Sequence, residues 1–372
     1  MLVFNVVLYN VVILFLLALG TLAIFSANDF FYIKVYKQIT FVIISIVLYY
    51  FVSFKFRLEY IEKISIWFYI FTVFILILNL FIGQVVNGAK GWIYIGGFSF
   101  QPAELSKIAL LFGYYTIYKY LKENVDTNQR NSFYFQVLFF ILTGLITLFL
   151  VFFIVIQPDL GFSALLFFTF LLTNLGLKIN PVFPLITLIL MIFLAKFFIK
   201  PYQLERLLTF LDPYRDPLGS GWQVINSVNT IINGGIFGLG FNKAELSKIG
   251  FLPENDTDFI FSFIAEEFGL IGNTLIILSF LLLLFSMLIT YLNLKNDDLK
   301  LIIIYVSSLI FLQSFENMGM CVMATPVTGL PLPLLSYGGT NLIITTFLLA
   351  LVNNLNLLVL KQQKLNKWKL VD

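Results

Sequence analysis

The chain has 372 residues, of which 60% are hydrophobic, 18% aromatic and only 12% charged, with a net charge of +3 and a mean hydropathy of +0.95. That composition excludes an ordinary water-soluble domain, and repeated apolar runs of about 20 residues match a bilayer's hydrocarbon thickness. There is no His and one Cys, Cys321, which excludes Ser-His-Asp triads, His-ligated metals, Cys-rich zinc sites and any disulfide within the chain.

Apolar runs predict ten spans, at 6–26, 36–53, 62–82, 104–120, 134–156, 160–177, 181–199, 258–290, 300–323 and 337–360. The predicted fold class is all-α integral membrane, with residues 1–372 forming one polytopic domain. Met-Leu-Val-Phe-Asn, without Lys or Arg, precedes the first run, which argues against a cleaved signal peptide. An even number of spans puts both termini on one side. More than half of the 23 Lys and Arg sit in the short loops and tail of that side, among them Lys55, Arg57, Lys63, Lys119 and Lys122. The positive-inside rule makes that side cytoplasmic. The one long loop, residues 200–257 between spans seven and eight, is then extracytoplasmic.

Residues 87–107 read NGAKGWIYIGGFSFQPAELSK, with Trp92 suited to a membrane interface. Glu104 and Lys107 are spaced i, i+3 at the start of the fourth span; the pair can neutralise itself or present Lys107 to an anion. QPDLG (157–161) joins two spans so tightly that Asp159 reads as a helix cap. The long loop interleaves Lys200, Arg206, Arg215, Lys243 and Lys248 with acids, which argues against a nucleic-acid or other polyanion surface. Its NGGIFGLGF (233–241) reads as a turn between short amphipathic helices, a glycine-rich phosphate cradle being the alternative.

The eighth span is too long for its task. Residues 258–290 would run about 50 Å as a helix, against a hydrocarbon core of ~30 Å. The part holding Asp258, Glu266 and Glu267 therefore projects outward or lines a wet cavity. Carboxylates in so apolar a segment cost free energy unless they face water, a partner or a cavity. Asp258 in a first turn also meets the helix dipole favourably, so a solvated helix start competes with a functional acid. Around a helix, Glu266 lies about 80° from Asp258 and Glu267 about 180°. Only Glu266 can share Asp258's face; Glu267 is left to packing or a separate hydrogen bond. Residues 316–341 (ENMGMCVMATPVTGLPLPLLSYGGTN) break the membrane pattern again with prolines and glycines. Irregular backbone at that depth needs protein or water around it, so the broken segments together imply a built cavity.

In combination these blocks resemble the SEDS family (shape, elongation, division, sporulation) of membrane peptidoglycan polymerases. The matching residues are Gly88-Ala89 with Trp92-Ile93, QPAELSK (101–107), QPDLG (157–161), FLDPYRDPLGSGWQ (210–223), GGIFGLG through FLPENDTDFIFSFIAEEFGLIG (234–272) and ENMGM…PVTGLPLPLLSYGGT (316–340). They cover nearly the whole chain in order, and PVTGLPLP is worded like the RodA branch. The resemblance implies ten spans with cytoplasmic termini, in the cytoplasmic (inner) membrane of a bacterium. It implies polymerisation of lipid II into β-1,4 glycan for cell elongation, with release of undecaprenyl diphosphate. It also implies a class B penicillin-binding protein, a transpeptidase, and elongation-complex proteins as partners beside the membrane lipids.

Asp258 matches the acid tied to activity. A sugar hydroxyl is a poor nucleophile, and a carboxylate within reach can take its proton; Asp258 as a ligand to Mg²⁺ or Mn²⁺ is the open alternative. No cofactor is required by the sequence. The departing diphosphate needs positive charge, from Lys107, Lys248, Arg206 or that divalent ion. Trp92, Glu104, Glu266 and Ser336 complete the candidate substrate-binding residues. Three departures stand out. The family's usual His before Thr-Asp is Asp256, which adds negative charge beside Asp258; its Arg before Trp92 is Gly91; its Gly-Leu-Leu before Pro326 is Met323-Ala324-Thr325. Two other classes fit the cavity: a flippase for lipid-linked precursors and a non-catalytic scaffold for the transpeptidase. A transporter often shows internal repeats, and none is visible.

Overall fold

The computed structural model describes residues 2–28, 32–86, 88–124, 133–198, 208–219, 221–248 and 250–368. Each predicted span coincides with a helix: α1 (Leu2–Ala27), α2 (Tyr32–Lys55), α3 (Glu59–Ile82), α4 (Leu105–Asn124), α5 (Phe133–Ile156), α6 (Leu160–Gly176), α7 (Val182–Phe198), α9 (Ile260–Asn293), α10 (Asp297–Cys321) and α11 (Gly339–Trp368). A further helix, α8 (Trp222–Gly234), lies in the long loop. Seven of these, α1, α2, α3, α5, α9, α10 and α11, are long and apolar enough to cross a bilayer, with shorter apolar stretches in α6 and α7. The fold is an all-α membrane bundle.

The bundle is built inside out relative to a soluble protein. Large apolar side chains such as Phe4, Trp67, Phe74 and Phe81 are exposed on its outside, a surface that lipid solvates and water does not. Inside, Leu16, Leu110, Phe139, Phe263 and Tyr305 are buried together with polar side chains. Asn5 of α1 donates to the Ser286 carbonyl of α9 at 3.2 Å and to Asn356 of α11 at 3.4 Å. Hydrogen bonds of this kind join helices where no hydrophobic difference from lipid exists to do so. α2 packs along α11, α1 and α8 along α9, and α6 along α10.

The all-α expectation missed a small sheet at the end of the bundle that carries the long loop. Strands β1 (Gln84–Val86), β2 (Ala89–Ile95) and β3 (Phe98–Phe100) pair antiparallel in that order. Ile95 opposes Phe98, so Gly96-Gly97 is a two-residue hairpin turn with both φ values positive, 56° and 83°. That is the backbone a tight hairpin needs and glycine adopts without strain.

α9 resolves the length puzzle by breaking. Gly269 inside it has φ 67° and ψ −166°, leaving Leu270–Asn293 as a stretch of roughly 36 Å, close to one bilayer crossing. The backbone groups freed by the break are taken up by the glycine-rich segment after α8. Leu239 N and Gly240 N donate to the carbonyls of Glu266 and Glu267 (2.9 Å each), and Leu270 N donates back to Gly235 O (2.9 Å). The approach is backbone to backbone: a Cβ on Gly238 would lie 2.1 Å from the Glu267 carbonyl oxygen. NGGIFGLGF is thus a backbone dock for a broken helix.

Candidate functional site

Asp258 lies in the turn before α9, two residues ahead of its first helical residue, and is half-buried. The expected place in the first turn of the helix is corrected by those two residues, because the turn is tied from outside instead of by helix bonds. On one side, Asn317 of α10 donates to the Asp258 carbonyl at 2.8 Å and to the Leu330 carbonyl at 2.7 Å. On a second, Ser336 donates to the Thr257 carbonyl at 2.6 Å while accepting from Leu332 N at 2.7 Å. Tyr337 N donates to the Asp256 carbonyl at 2.8 Å. On a third, Asp256 meets Lys34 of α2 at 2.8 Å and Asn28 at 3.0 Å.

The irregular strip between α10 and α11 forms the wall around this acid. A Cβ on Gly329 would lie 3.3 Å from Asp258 Oδ2, so the absence of a side chain there leaves the carboxylate room. Next to it, the Thr328 hydroxyl donates to Glu316 Oε1. Among the described residues Glu316 Oε2 is buried without a hydrogen-bond partner, and the carboxyl lies within electrostatic range of Asp258. Two residues back, Thr325 and Val327 line a cavity of about 200 Å³ together with Thr209, Phe210, Gly219, Gln223 and Val224. It is smaller than the ~300–1,000 Å³ of a pocket that engulfs a whole small molecule, and suits part of one. Sequence reasoning missed Glu316: its signal is an acid inside an apolar helix, hidden by the prolines and glycines that follow it.

Lys107 and Glu104 lie beneath the strip. Both are fully buried and paired at 2.8 Å; Lys107 also donates to Gln313 Oε1 at 2.9 Å and Asn341 Oδ1 at 3.3 Å. Gln313 in turn donates to the Pro331 carbonyl at 2.7 Å. The three ammonium protons are engaged inside the protein, and the pair links α4, α10, α11 and the strip. Asp159 caps α6, accepting from Phe162 N at 3.0 Å, and also accepts from Gln101 at 3.2 Å.

The remaining predicted residues are scattered around this centre. Trp92 sits half-buried in β2 opposite Gln84. Lys248 donates to Asn242 Oδ1 at 2.6 Å. Glu266, placed by helical geometry on Asp258's face, instead has its oxygens filled by Asn233 (3.0 Å), the amides of Glu245, Leu246 and Ser247 (3.1, 2.8 and 3.1 Å) and the Ser247 hydroxyl. It anchors the loop end of the site. Glu267 bonds Ser26 and Asn242 N. Arg206 lies outside the described residues. Among the described residues, no group of three or more Asp, Glu or Cys is placed to hold a metal ion. A single carboxylate such as Asp258 offers one oxygen ligand, which fits only a Mg²⁺ or Mn²⁺ that draws its other ligands from outside the chain.

A family model for cell cycle proteins of the FtsW/RodA/SpoVE type matches residues 1–359. The chain belongs to that family. Among its relatives is a probable peptidoglycan glycosyltransferase FtsW of Borreliella burgdorferi, 34% identical over 94% of this chain and 95% of the relative. Another of that name, from Wigglesworthia glossinidia brevipalpis, is 33% identical over 92% of each. The stage V sporulation protein E of Bacillus subtilis is 34% identical over 73% of this chain and 72% of its own. A solved chain from a peptidoglycan synthase complex that coordinates polymerization and crosslinking superposes with a TM-score of 0.76 at 29% identity, covering 94% and 97% of the two chains. The rod shape determining protein RodA of Thermus thermophilus shares the fold, with a TM-score of 0.67 over 94% and 95% of the chains. The FtsW/RodA/SpoVE protein described here is accordingly a multi-pass protein of the bacterial inner membrane.

Proposed function

We propose that this protein polymerises lipid II into β-1,4-linked glycan and releases undecaprenyl diphosphate. Glycosyl transfer is the activity of its family; the substrate, the residue roles and the orientation belong to the proposal. The observation that carries it is the turn of Asp258: a backbone held by Asn317, Ser336 and the Lys34–Asp256 pair, with room left for the carboxylate by Gly329, next to a strip that lines a cavity. In this reading both termini are cytoplasmic, so the turn and the long loop face the side where cell wall is made. Asp258 takes the proton from the acceptor sugar hydroxyl as its oxygen bonds to the anomeric carbon and the lipid diphosphate departs. Lys248 or Arg206, both in the long loop, meets the diphosphate; the Lys107 ammonium is fully buried between Glu104, Gln313 and Asn341. A divalent ion held by Asp258 would supply the same neutralisation.

An elongation role with a class B penicillin-binding protein as partner is supported by the RodA-like wording of residues 326–333 and by the fold shared with a chain of a peptidoglycan synthase complex. Relatives named FtsW favour a role in division instead. Depleting the protein from its own cells separates the two, since loss of elongation gives round cells and loss of division gives filaments. The activity itself is tested with purified protein and lipid II in detergent, read as a glycan ladder. Asp258→Asn should slow ladder formation by about 10²–10⁴-fold. A ladder at full rate in that variant rejects the base and metal roles together. No ladder from the unaltered protein, with lipid II crossing vesicle membranes, would replace the polymerase by a flippase.

A further inference from the structure

We propose that Lys34 and Asp256 are positioning residues for Asp258: an ion pair between the N-terminal end of α2 and the turn, holding in place the backbone that carries the reacting carboxylate, alongside the bonds from Asn317 and Ser336. The inference rests on Asp258 doing the chemistry set out above.

Asp256 is almost fully buried, at 5% exposure of its side chain, whereas Lys34 is half exposed. The buried carboxylate oxygen Oδ2 receives both Lys34 Nζ at 2.8 Å and Asn28 Nδ2 at 3.0 Å. The Asp256 carbonyl receives Tyr337 N at 2.8 Å, and the Lys34 ammonium lies 5.7 Å from the centre of the Tyr337 ring. One residue therefore joins α2, the turn that ends α1, the strip before α11 and the turn two positions ahead of Asp258. The negative charge that the sequence sets beside Asp258 is compensated here by Lys34. Within the turn, Thr257 N and Phe259 N both bond the Glu254 carbonyl, at 3.2 and 3.1 Å, so movement of Asp256 is transmitted along a few backbone atoms to the Asp258 side chain.

The pair is asymmetric, and the asymmetry makes a sharp test. Removing Lys34 leaves a buried carboxylate without its cation, the costly way to break such a pair. Removing the charge of Asp256 leaves a half-exposed lysine that water solvates. Lys34→Gln should therefore hurt more than Asp256→Asn, and adding Asp256→Asn to Lys34→Gln should repair the damage. Independent residues would instead add their losses.

Four variants in detergent test this: Lys34→Gln, Asp256→Asn, the two together, and Lys34→Arg, which keeps the charge. Hydrogen exchange at the amides of Thr257 and Phe259 reads the clamp directly; lipid II polymerisation reads its consequence. Lys34→Gln should speed exchange at both amides and lower kcat roughly tenfold with little change in KM. The double variant should return both readings to the level of Asp256→Asn, and Lys34→Arg should stay near the unaltered protein. A double variant as impaired as Lys34→Gln, unchanged exchange in Lys34→Gln, or a loss confined to KM would each overturn the clamp. The exchange measurement does so whether or not the protein polymerises, so a failure of the clamp and a failure of the polymerase reading are told apart.

Discussion

Glu316 and Asn317 are neighbours on α10 with opposite effects on the turn that carries Asp258. Asn317 satisfies two carbonyls at once, those of Asp258 and Leu330. Glu316 brings a second carboxyl toward Asp258, keeps one oxygen on Thr328 and leaves the other buried and unpartnered. An unsatisfied buried oxygen costs about 1–3 kcal/mol. Glu316→Gln keeps an acceptor for Thr328 and puts an amide donor in place of the orphan oxygen, within electrostatic range of Asp258. The variant should unfold about 1–3 kcal/mol harder in thermal or denaturant titration while polymerising more slowly, the usual exchange where strain sits at a reacting group. Equal stability with full activity would mean that the two carboxyls do not sense each other.

At the scale of elements, the decisive feature is the break in α9 and its dock. Apolar periodicity makes the helix legible, and simple length makes it too long; neither says where it breaks. Gly269 breaks it because the segment after α8 offers donors and acceptors to the freed backbone. Two glycines of that dock separate conformation from contact. Gly235 has φ 55° with open space where a methyl group would sit, whereas Gly238 has φ 79° and would drive a Cβ into the Glu267 carbonyl. Gly235→Ala should cost only backbone strain, about 1–3 kcal/mol. Gly238→Ala should cost that plus displacement of the dock, several-fold more, seen as a lower melting temperature in detergent. The hairpin of β2 and β3 is legible too, in Gly96-Gly97 between short runs of strand formers, but the long apolar runs on either side outweigh so short a signal.

At the scale of the whole molecule, Lys107 and Glu104 tie the bundle together under the site. Sequence spacing allows either a self-neutralising pair or an anion-binding lysine, and spacing alone cannot choose, because the choice depends on what covers the pair. Here α10 and α11 cover it completely. Lys107→Met leaves Glu104 as a buried uncompensated charge and should destabilise by about 3–5 kcal/mol. Adding Glu104→Gln should recover most of that in the same unfolding measurement. A Lys107→Met protein of normal stability and raised KM would return the lysine to the substrate.

The chain by itself determined the membrane class and the helices, and the motifs it shares with the SEDS family single out Asp258 as the acid to watch. Those follow from composition, runs of apolar residues and short contiguous motifs, all of which act over neighbours in the chain. Tertiary structure alone decided the partners of each charge. Asp256 finds Lys34 across 222 positions, Lys107 finds Gln313 across 206, and Glu266 goes to the loop at 245–247 instead of to Asp258's face. A buried charge takes whichever partner the packing brings within about 3 Å, and that proximity is a property of the assembled bundle.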